Sequence, residues 1–251
     1  MGKIQLFESL VSSAPLRGVS NFGARLLNDC INAARWPQAC QLCGAEGKEG
    51  MLCGPCLEDL PWLPARRCAQ CAVPLTSDGI CGACLDRPPR FDRVEAVFAY
   101  GFPVDGLVQA CKYGGRLALA GLLGRQLART VRGGVDAIVP MPLAPGRLAE
   151  RGFNQALEIA RPVARATRIP LLRYACRKVA DTLPQAALPW GARAKNIRRA
   201  FVCDADFRGM RVAVVDDVLT TGATLNELAR VLRRAGAVEV VGWVVARTLP
   251  R

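Results

Sequence analysis

The chain of 251 residues is 51 % apolar, so it can bury a sizeable core, and it carries no histidine. That absence excludes Ser-His-Asp and Cys-His hydrolase sites, H-E-x-x-H metal sites and any zinc site with imidazole ligands. Its net charge of +13 is uneven: residues 1–90 hold 9 basic and 8 acidic side chains, and the rest hold 25 and 13, which points the second part toward a polyanionic ligand, small or polymeric.

In chain order, residues 1–36 read as a helical segment with apolar positions such as Leu26, Leu27 and Ile31, closed by Pro37. The start of the chain is broken by Glu8, Pro15 and Arg17 and does not read as a secretory signal. No stretch of about eighteen uncharged apolar residues follows, so no membrane insertion is expected. A cytoplasmic location, with reduced cysteines, is the corresponding expectation.

Residues 37–90 are dominated by cysteine. Eight of the twelve cysteines form four C-x-x-C pairs in two matching blocks, CQLCGAEGKEGMLCGPC and CAQCAVPLTSDGICGAC. Cys40, Cys43, Cys53 and Cys56 recur 28 residues later as Cys68, Cys71, Cys81 and Cys84. A C-x-x-C turn aims two thiolates at one point, and two such turns complete a tetrahedron around zinc. The spacing therefore predicts two tandem zinc ribbons, each with structural Zn²⁺, and a self-contained repeat favours pairing within each block. Iron–sulfur binding and disulfides are the competing readings, the latter disfavoured without a secretory signal. Four protein ligands leave no open position, so a structural role is the expectation. Thiolates and zinc together leave this part slightly acidic, a poor general DNA clamp, although Arg66 and Arg67 form a local basic patch. Cys30, Cys111, Cys176 and Cys203 have no partner spacing and read as small core residues.

From residue 91 to 251 strands and helices alternate. Strands are expected at 94–100, 136–143, 171–177, 199–203, 211–218 and 238–248. Helices are expected over 104–131, broken at Gly114-Gly115, over 154–167 and over 224–235, whose Leu225, Leu228 and Leu232 keep helical spacing before Gly236. The pattern predicts a parallel sheet with helices on both faces, with ligands beyond the carboxyl ends of its strands. Residues 181–197 are irregular and polar.

The string VAVVDDVLTTGATL (212–225) carries the chemistry. An apolar strand delivers Asp216 and Asp217, and the small residues Thr220, Thr221, Gly222, Ala223 and Thr224 open a helix. Backbone N–H groups and threonine hydroxyls there can cradle a phosphate, while the carboxylates accept hydrogen bonds from vicinal sugar hydroxyls. Such a pairing fits a ribose 5-phosphate. An ordinary strand–turn–helix with threonine as cap is the bland alternative, and two adjacent acids argue against it.

At these residues the chain resembles the type I phosphoribosyltransferases. KYGG (112–115), VPMPL (139–143), RLAERGFNQ (147–155), Arg177, Lys178, Thr182 and Gln185, RAKN (193–196) and the ribbons narrow the resemblance to the ComF family, over residues 37–248. The resemblance implies a type I phosphoribosyltransferase-like α/β domain behind a tandem four-cysteine zinc-ribbon module. It implies that Asp216 and Asp217 hold the ribose hydroxyls of phosphoribosyl pyrophosphate, that residues 220–224 hold its 5′-phosphate, and that Mg²⁺ enters with the pyrophosphate. Val139, Pro140, Met141, Pro142 and Leu143 would form the pyrophosphate loop, with Arg147 and Arg151 as cation candidates that read equally as solvated charges at a helix start. Asn154 and Gln155 would orient that loop or an acceptor. Residues 178–195 are the candidate lid, with Lys178 and Arg193 as phosphate contacts or plain surface charge. Lys112 and Tyr113 line an acceptor pocket or mark a helix end. The implied activity is pentosyl transfer, linked to competence and the use of external DNA. The alternative is a non-catalytic nucleic-acid-binding or regulatory protein that uses the same pocket as a sensor, with single-stranded DNA as a candidate partner. A third reading makes the ribbons a docking module for a helicase-type competence protein.

Overall fold

A computed structural model of the chain describes residues 39–47, 51–113, 116–179 and 200–250. The expected N-terminal helix, the Gly114-Gly115 break and the lid residues 180–195, Arg193 among them, lie outside the described residues. The chain divides into two compact units, residues 1–53 and 54–251.

In the first unit the chain turns tightly at the first C-x-x-C. Cys40 N–H donates to the Ala45 carbonyl (2.6 Å), Gly44 N–H donates to the Cys40 carbonyl (2.9 Å), and Gly44 takes φ +75°. The Cys43 and Cys53 sulfurs lie 3.6 Å apart.

The second unit opens with α1 (Gly54–Glu58) and α2 (Gly82–Asp86), one-turn helices that begin inside the second C-x-x-C of each block and carry its last cysteine. Its own knuckle repeats the first bond for bond. Cys68 N–H donates to the Val73 carbonyl (2.7 Å) and Ala72 N–H to the Cys68 carbonyl (3.0 Å), with Ala72 at φ +59° where the first block has Gly44. Cys71 and Cys81 sulfurs are again 3.6 Å apart. The sequence repeat is thus a structural repeat.

The rest is an α/β fold: β1 (Arg93–Ala99), α3 (Val104–Tyr113), α4 (Leu117–Thr130), β2 (Ala137–Pro140), α5 (Pro145–Arg151), α6 (Gln155–Thr167), β3 (Cys176–Lys178), β4 (Phe201–Cys203), β5 (Arg211–Leu219), α7 (Ala223–Arg234) and β6 (Glu239–Arg247). The sheet runs β1-β6-β5-β2, all parallel. Its central strands are buried on both sides, as the uninterrupted apolar runs VAVV and VVGWVVA require. Helices α4 and α6 pack on each other on one face. The apolar stripe of α7 (Leu225, Leu228, Leu232) clusters with Val212, Val214, Val240 and Val244 on the other.

Two expectations change. Residues 171–177 are not one strand: Leu171 makes only a parallel bridge to Ile138 at the sheet edge, and Cys176–Lys178 leave the sheet to pair antiparallel with Phe201–Cys203. Cys176 and Cys203 are also not unrelated core residues, since they are register partners. Val179 N–H donates to Ala200 and Asp204 N–H to Ala175, so the Cys176/Cys203 pair falls at a non-hydrogen-bonded position, where facing side chains are closest.

The α4–α6 contact closes on Gly124. A Cβ there would sit 2.4 Å from the Ile159 carbonyl oxygen and 2.4 Å from Pro162 Cγ. Neither neighbour yields cheaply, one being backbone and the other a ring. Gly124→Ala is expected to destabilise the protein by about 3 kcal/mol, readable as a lowered urea midpoint at unchanged slope.

Candidate functional site

The carboxyl end of β5 and the loop behind it line a cavity of about 490 Å³. Its walls include Asp216, Asp217, Thr220, Gly222 and Thr224, with Tyr100, Lys112 and Thr248 from neighbouring segments. The two acids lie within the strand, as the expected span 211–218 has them, because β5 keeps its pairing with β6 through Leu219. Asp217 is buried and Asp216 half-buried. Gly222 takes φ +78°, a left-handed turn that starts α7, and Thr221 Oγ1 accepts the Ala223 N–H at 3.2 Å. That leaves the side chains of Thr220 and Thr224 on the cavity wall, beside the first turn of α7. Thr221 and Ala223 belong to the same loop but do not line the cavity.

Electrostatics set the two acids apart. Asp217 Oδ2 faces Lys112 Nζ at 2.9 Å, an ion pair with little solvent access. Burial lowers the Lys112 pKa, but Asp217 more than offsets this and holds the ammonium above its ordinary value. Among the described residues Asp216 has no such ion pair at contact. Burial and the neighbouring Asp217 charge push its carboxyl up to about 7, against the opposing pull of the Asp217 N–H, Lys112 and Lys178. Lys112, which the sequence left between two readings, is therefore a wall of this cavity. Thr248 and Tyr100 had no sequence signal, since each sits beyond the end of an apolar strand.

The expected pyrophosphate loop lies one strand over. Pro140 is register partner to Val215, and Met141 N–H donates to the Val215 carbonyl at 2.8 Å. Asn154 caps α6 by accepting from Ala156 and Leu157 N–H, and its Nδ2 donates to the Met141 carbonyl at 3.0 Å. One side chain thus starts a helix and anchors Met141. Val139, Pro140, Met141, Pro142 and Leu143 do not line the cavity itself. Arg151 closes α5, donates to Gln155 Oε1 (2.5 Å) and lies over the Tyr113 ring at 5.2 Å. Arg147 is half-buried on α5 and makes no ion pair among the described residues. Lys178 stands on the β3–β4 ribbon with its ammonium 5.9 Å from the Phe201 ring centroid, near enough for its charge to act on Asp216.

The cysteines gather as two groups, Cys40, Cys43, Cys53, Cys56 and Cys68, Cys71, Cys81, Cys84, each with all sulfurs within 4.8 Å of one another. A tetrahedral Zn–S₄ site needs sulfurs about 3.8 Å apart, and the 3.6 Å separations match it. Against the opposing effect of burial, backbone N–H donors at Cys53, Cys43 and Leu42 bring the Cys40 thiol down to about 6. Donors at Cys71, Cys81 and Gln70 bring Cys68 to about 7, again against burial. The donor set and its spacing fit structural Zn²⁺ in both ribbons, paired within each block.

No helix among the described residues is long and apolar enough to cross a membrane. A family model of the double zinc ribbon domain matches residues 33–85, and one of the phosphoribosyl transferase domain matches residues 200–248. The chain is 35 % identical over 191 residues to the DNA utilization protein YhgH of Escherichia coli (strain K12), covering 72 % of this chain and 84 % of that protein. It is 33 % identical over 208 residues to competence protein F of Haemophilus influenzae, covering 78 % and 90 %. Among solved structures, the glutamine phosphoribosylpyrophosphate amidotransferase of B. subtilis is 25 % identical, covers 49 % of this chain and 25 % of that one, and has a TM-score of 0.35, too slight to bear on the site. With the ribbons, the parallel sheet and relatives matched over most of their length, the chain belongs to the ComF family, a double zinc ribbon joined to a phosphoribosyltransferase-like domain.

Proposed function

We propose that the cavity at the end of β5 binds phosphoribosyl pyrophosphate and that the protein transfers its phosphoribosyl group to an acceptor. The observation that carries this reading is the juxtaposition of two carboxylates with a left-handed glycine turn at the start of α7 on one cavity wall. Asp216 and Asp217 accept from the ribose hydroxyls. Thr220 to Thr224 supply hydroxyl and N–H donors to the 5′-phosphate. Val139 to Leu143, with Arg147, Arg151 and Lys178 as cations, meet the diphosphate. Pyrophosphate leaves C1 as the acceptor bonds to it, so position and charge stabilisation suffice and no side-chain nucleophile is needed. Asp216 and Asp217 are hard oxygen donors of the kind Mg²⁺ takes, and a Mg²⁺ ion held beside them with the diphosphate would supply neutralisation of the leaving group's charge.

Titration of phosphoribosyl pyrophosphate with Mg²⁺ into the zinc-loaded protein tests the reading by calorimetry. Binding that vanishes in the Asp216→Ala, Asp217→Ala double variant supports it, and a folded wild type that binds nothing refutes it. Acid supplies a second signature. A carboxyl titrating near 7 is mostly ionised at pH 8 and mostly protonated at pH 6, so affinity is expected to fall as pH is lowered. The fall reaches about tenfold over those two units, and Asp216→Asn removes Asp216's share of it. Stability runs the other way: with its folded-state pKa raised, Asp216 favours the fold below its ordinary range and loses that contribution as pH rises through about 7.

The relatives' names, DNA utilization protein and competence protein, favour a second reading in which the protein handles DNA and the pocket acts as a sensor. The basic second part of the chain suits it. Single-strand affinity that falls steeply with salt, without pyrophosphate release in any acceptor screen, is the result that would favour it.

A further inference from the structure

Strand β6 is apolar from Val240 to Ala246 and then ends on a buried arginine, Arg247, 8 % exposed. Among the described residues no carboxylate pairs with it. Its guanidinium is met by carbonyl groups instead. Nε donates to the Cys71 carbonyl at 2.9 Å, and Nη1 donates to Leu219 (3.1 Å), to Thr248 (2.6 Å) and to Thr220. A buried cation is expensive unless its donors are satisfied, and here one fork joins two segments far apart in sequence. One is the knuckle of the second zinc ribbon, since Cys71 is a ligand of that group. The other is the start of the loop that lines the cavity, since Leu219 and Thr220 are on its wall, as is Thr248. A second contact runs the same way: the Phe91 ring, just past that ribbon, lies 3.5 Å from where a Cβ on Gly222 would stand.

We infer that Arg247 is a positioning residue that ties the loop of residues 219–224 to the second zinc knuckle, so that ligand binding in the cavity depends on zinc at Cys68, Cys71, Cys81 and Cys84. The inference rests on the reading of that loop as a phosphate cradle for its ligand, but the tie itself does not. With zinc bound the Cys71 carbonyl is fixed and the fork holds both sides. Without zinc the knuckle loosens, Nε loses its acceptor, and the loop carbonyls lose a donor held in place. Linkage makes the effect reciprocal: a ligand that orders the loop raises the affinity of this ribbon for zinc.

The test reads two quantities on the full chain for wild type, Arg247→Lys and Cys81→Ser: hydrogen exchange of the peptide 218–225, and calorimetric affinity for phosphoribosyl pyrophosphate with Mg²⁺. Lysine keeps the charge but not the fork, and Cys81→Ser weakens zinc while leaving Arg247 in place. Both substitutions are expected to speed exchange in the loop and to lower affinity about tenfold, the scale of one charge-assisted hydrogen bond, with exchange of residues 212–215 unchanged. Arg247→Lys is expected to retain both zinc ions. If Arg247→Lys unfolds, seen as lost protection of 212–215, Cys81→Ser decides. A loop that exchanges at the wild-type rate in the folded variants overturns the tie. A wild type that binds no ligand, with a loop that still responds to both substitutions, refutes the functional reading and leaves the tie standing.

Discussion

Replacing Asp217 with alanine is expected to lower the melting temperature by about 10 °C before any ligand is present. The carboxylate is buried and stands 2.9 Å from Lys112 Nζ, whose side chain is itself only 21 % exposed. Removing one partner of such a pair strands the other charge in a poorly solvated place, which costs about 3–5 kcal/mol, and a chain of this size loses about 2–4 °C for each kcal/mol. The prediction has an internal control. Adding Lys112→Met to Asp217→Ala removes the stranded ammonium and is expected to restore most of the loss in a calorimetric scan. A double variant no more stable than the single one would show that the ion pair is not the cause. Asp216→Ala contrasts with it. Burial and Asp217 already raise its carboxyl, so removing that carboxyl is expected to cost about 1 kcal/mol or less. Two neighbouring acids that look alike in sequence thus differ in what they contribute: Asp217 holds an ion pair, and Asp216 is the group whose charge the fold opposes and a ligand would satisfy. Affinity for phosphoribosyl pyrophosphate is expected to fall in both variants, which separates the binding role from the structural one.

That difference marks what local sequence can carry. The ribbons were legible because a C-x-x-C turn is itself the ligand geometry, and the 28-residue repeat is preserved down to the Cys40–Ala45 and Cys68–Val73 hydrogen bonds. The strand–helix alternation was legible because VAVV and the Leu225, Leu228, Leu232 stripe show their burial in their periods. What failed was pairing at a distance. LLRYACR has the apolar content of a strand, yet Cys176–Lys178 pair with Phe201–Cys203 rather than with the sheet, and nothing in seven residues names that partner. Cys176 and Cys203 meet across a ladder and not in a turn, so no spacing announces them. Lys112 reaches Asp217 across more than a hundred residues, and Arg247 reaches Cys71 across 176. The one sequence sign of Arg247 was a charge closing an otherwise apolar strand.

Replacing Cys84 with serine is expected to lower zinc from two ions per chain to one, read by elemental analysis of the dialysed protein, and to unfold the second ribbon. Within the ribbon itself little else holds the turns together. Its own cluster consists of Cys68, Cys71 and Cys84, with Val73, Leu75 and Cys81 packed against them, so most of its core is the ligand set. Bound structural zinc contributes about 10–16 kcal/mol in small ribbons and fingers, far more than burial of a few small side chains can replace. Limited trypsin digestion locates the damage. Arg67 is shielded in the folded protein, with its guanidinium donating to the Ala96 carbonyl at 2.8 Å. Cleavage after Arg67 is expected to be fast in Cys84→Ser and slow in the zinc-loaded wild type, since proteolysis follows the population of the open form. Cys111→Ser provides the contrast: Cys111 is buried in α3 and belongs to neither sulfur group, so both ions and trypsin resistance are expected to survive. A Cys84→Ser chain that keeps two zinc ions, or resists trypsin at Arg67, would show that the ribbon folds on contacts other than its metal.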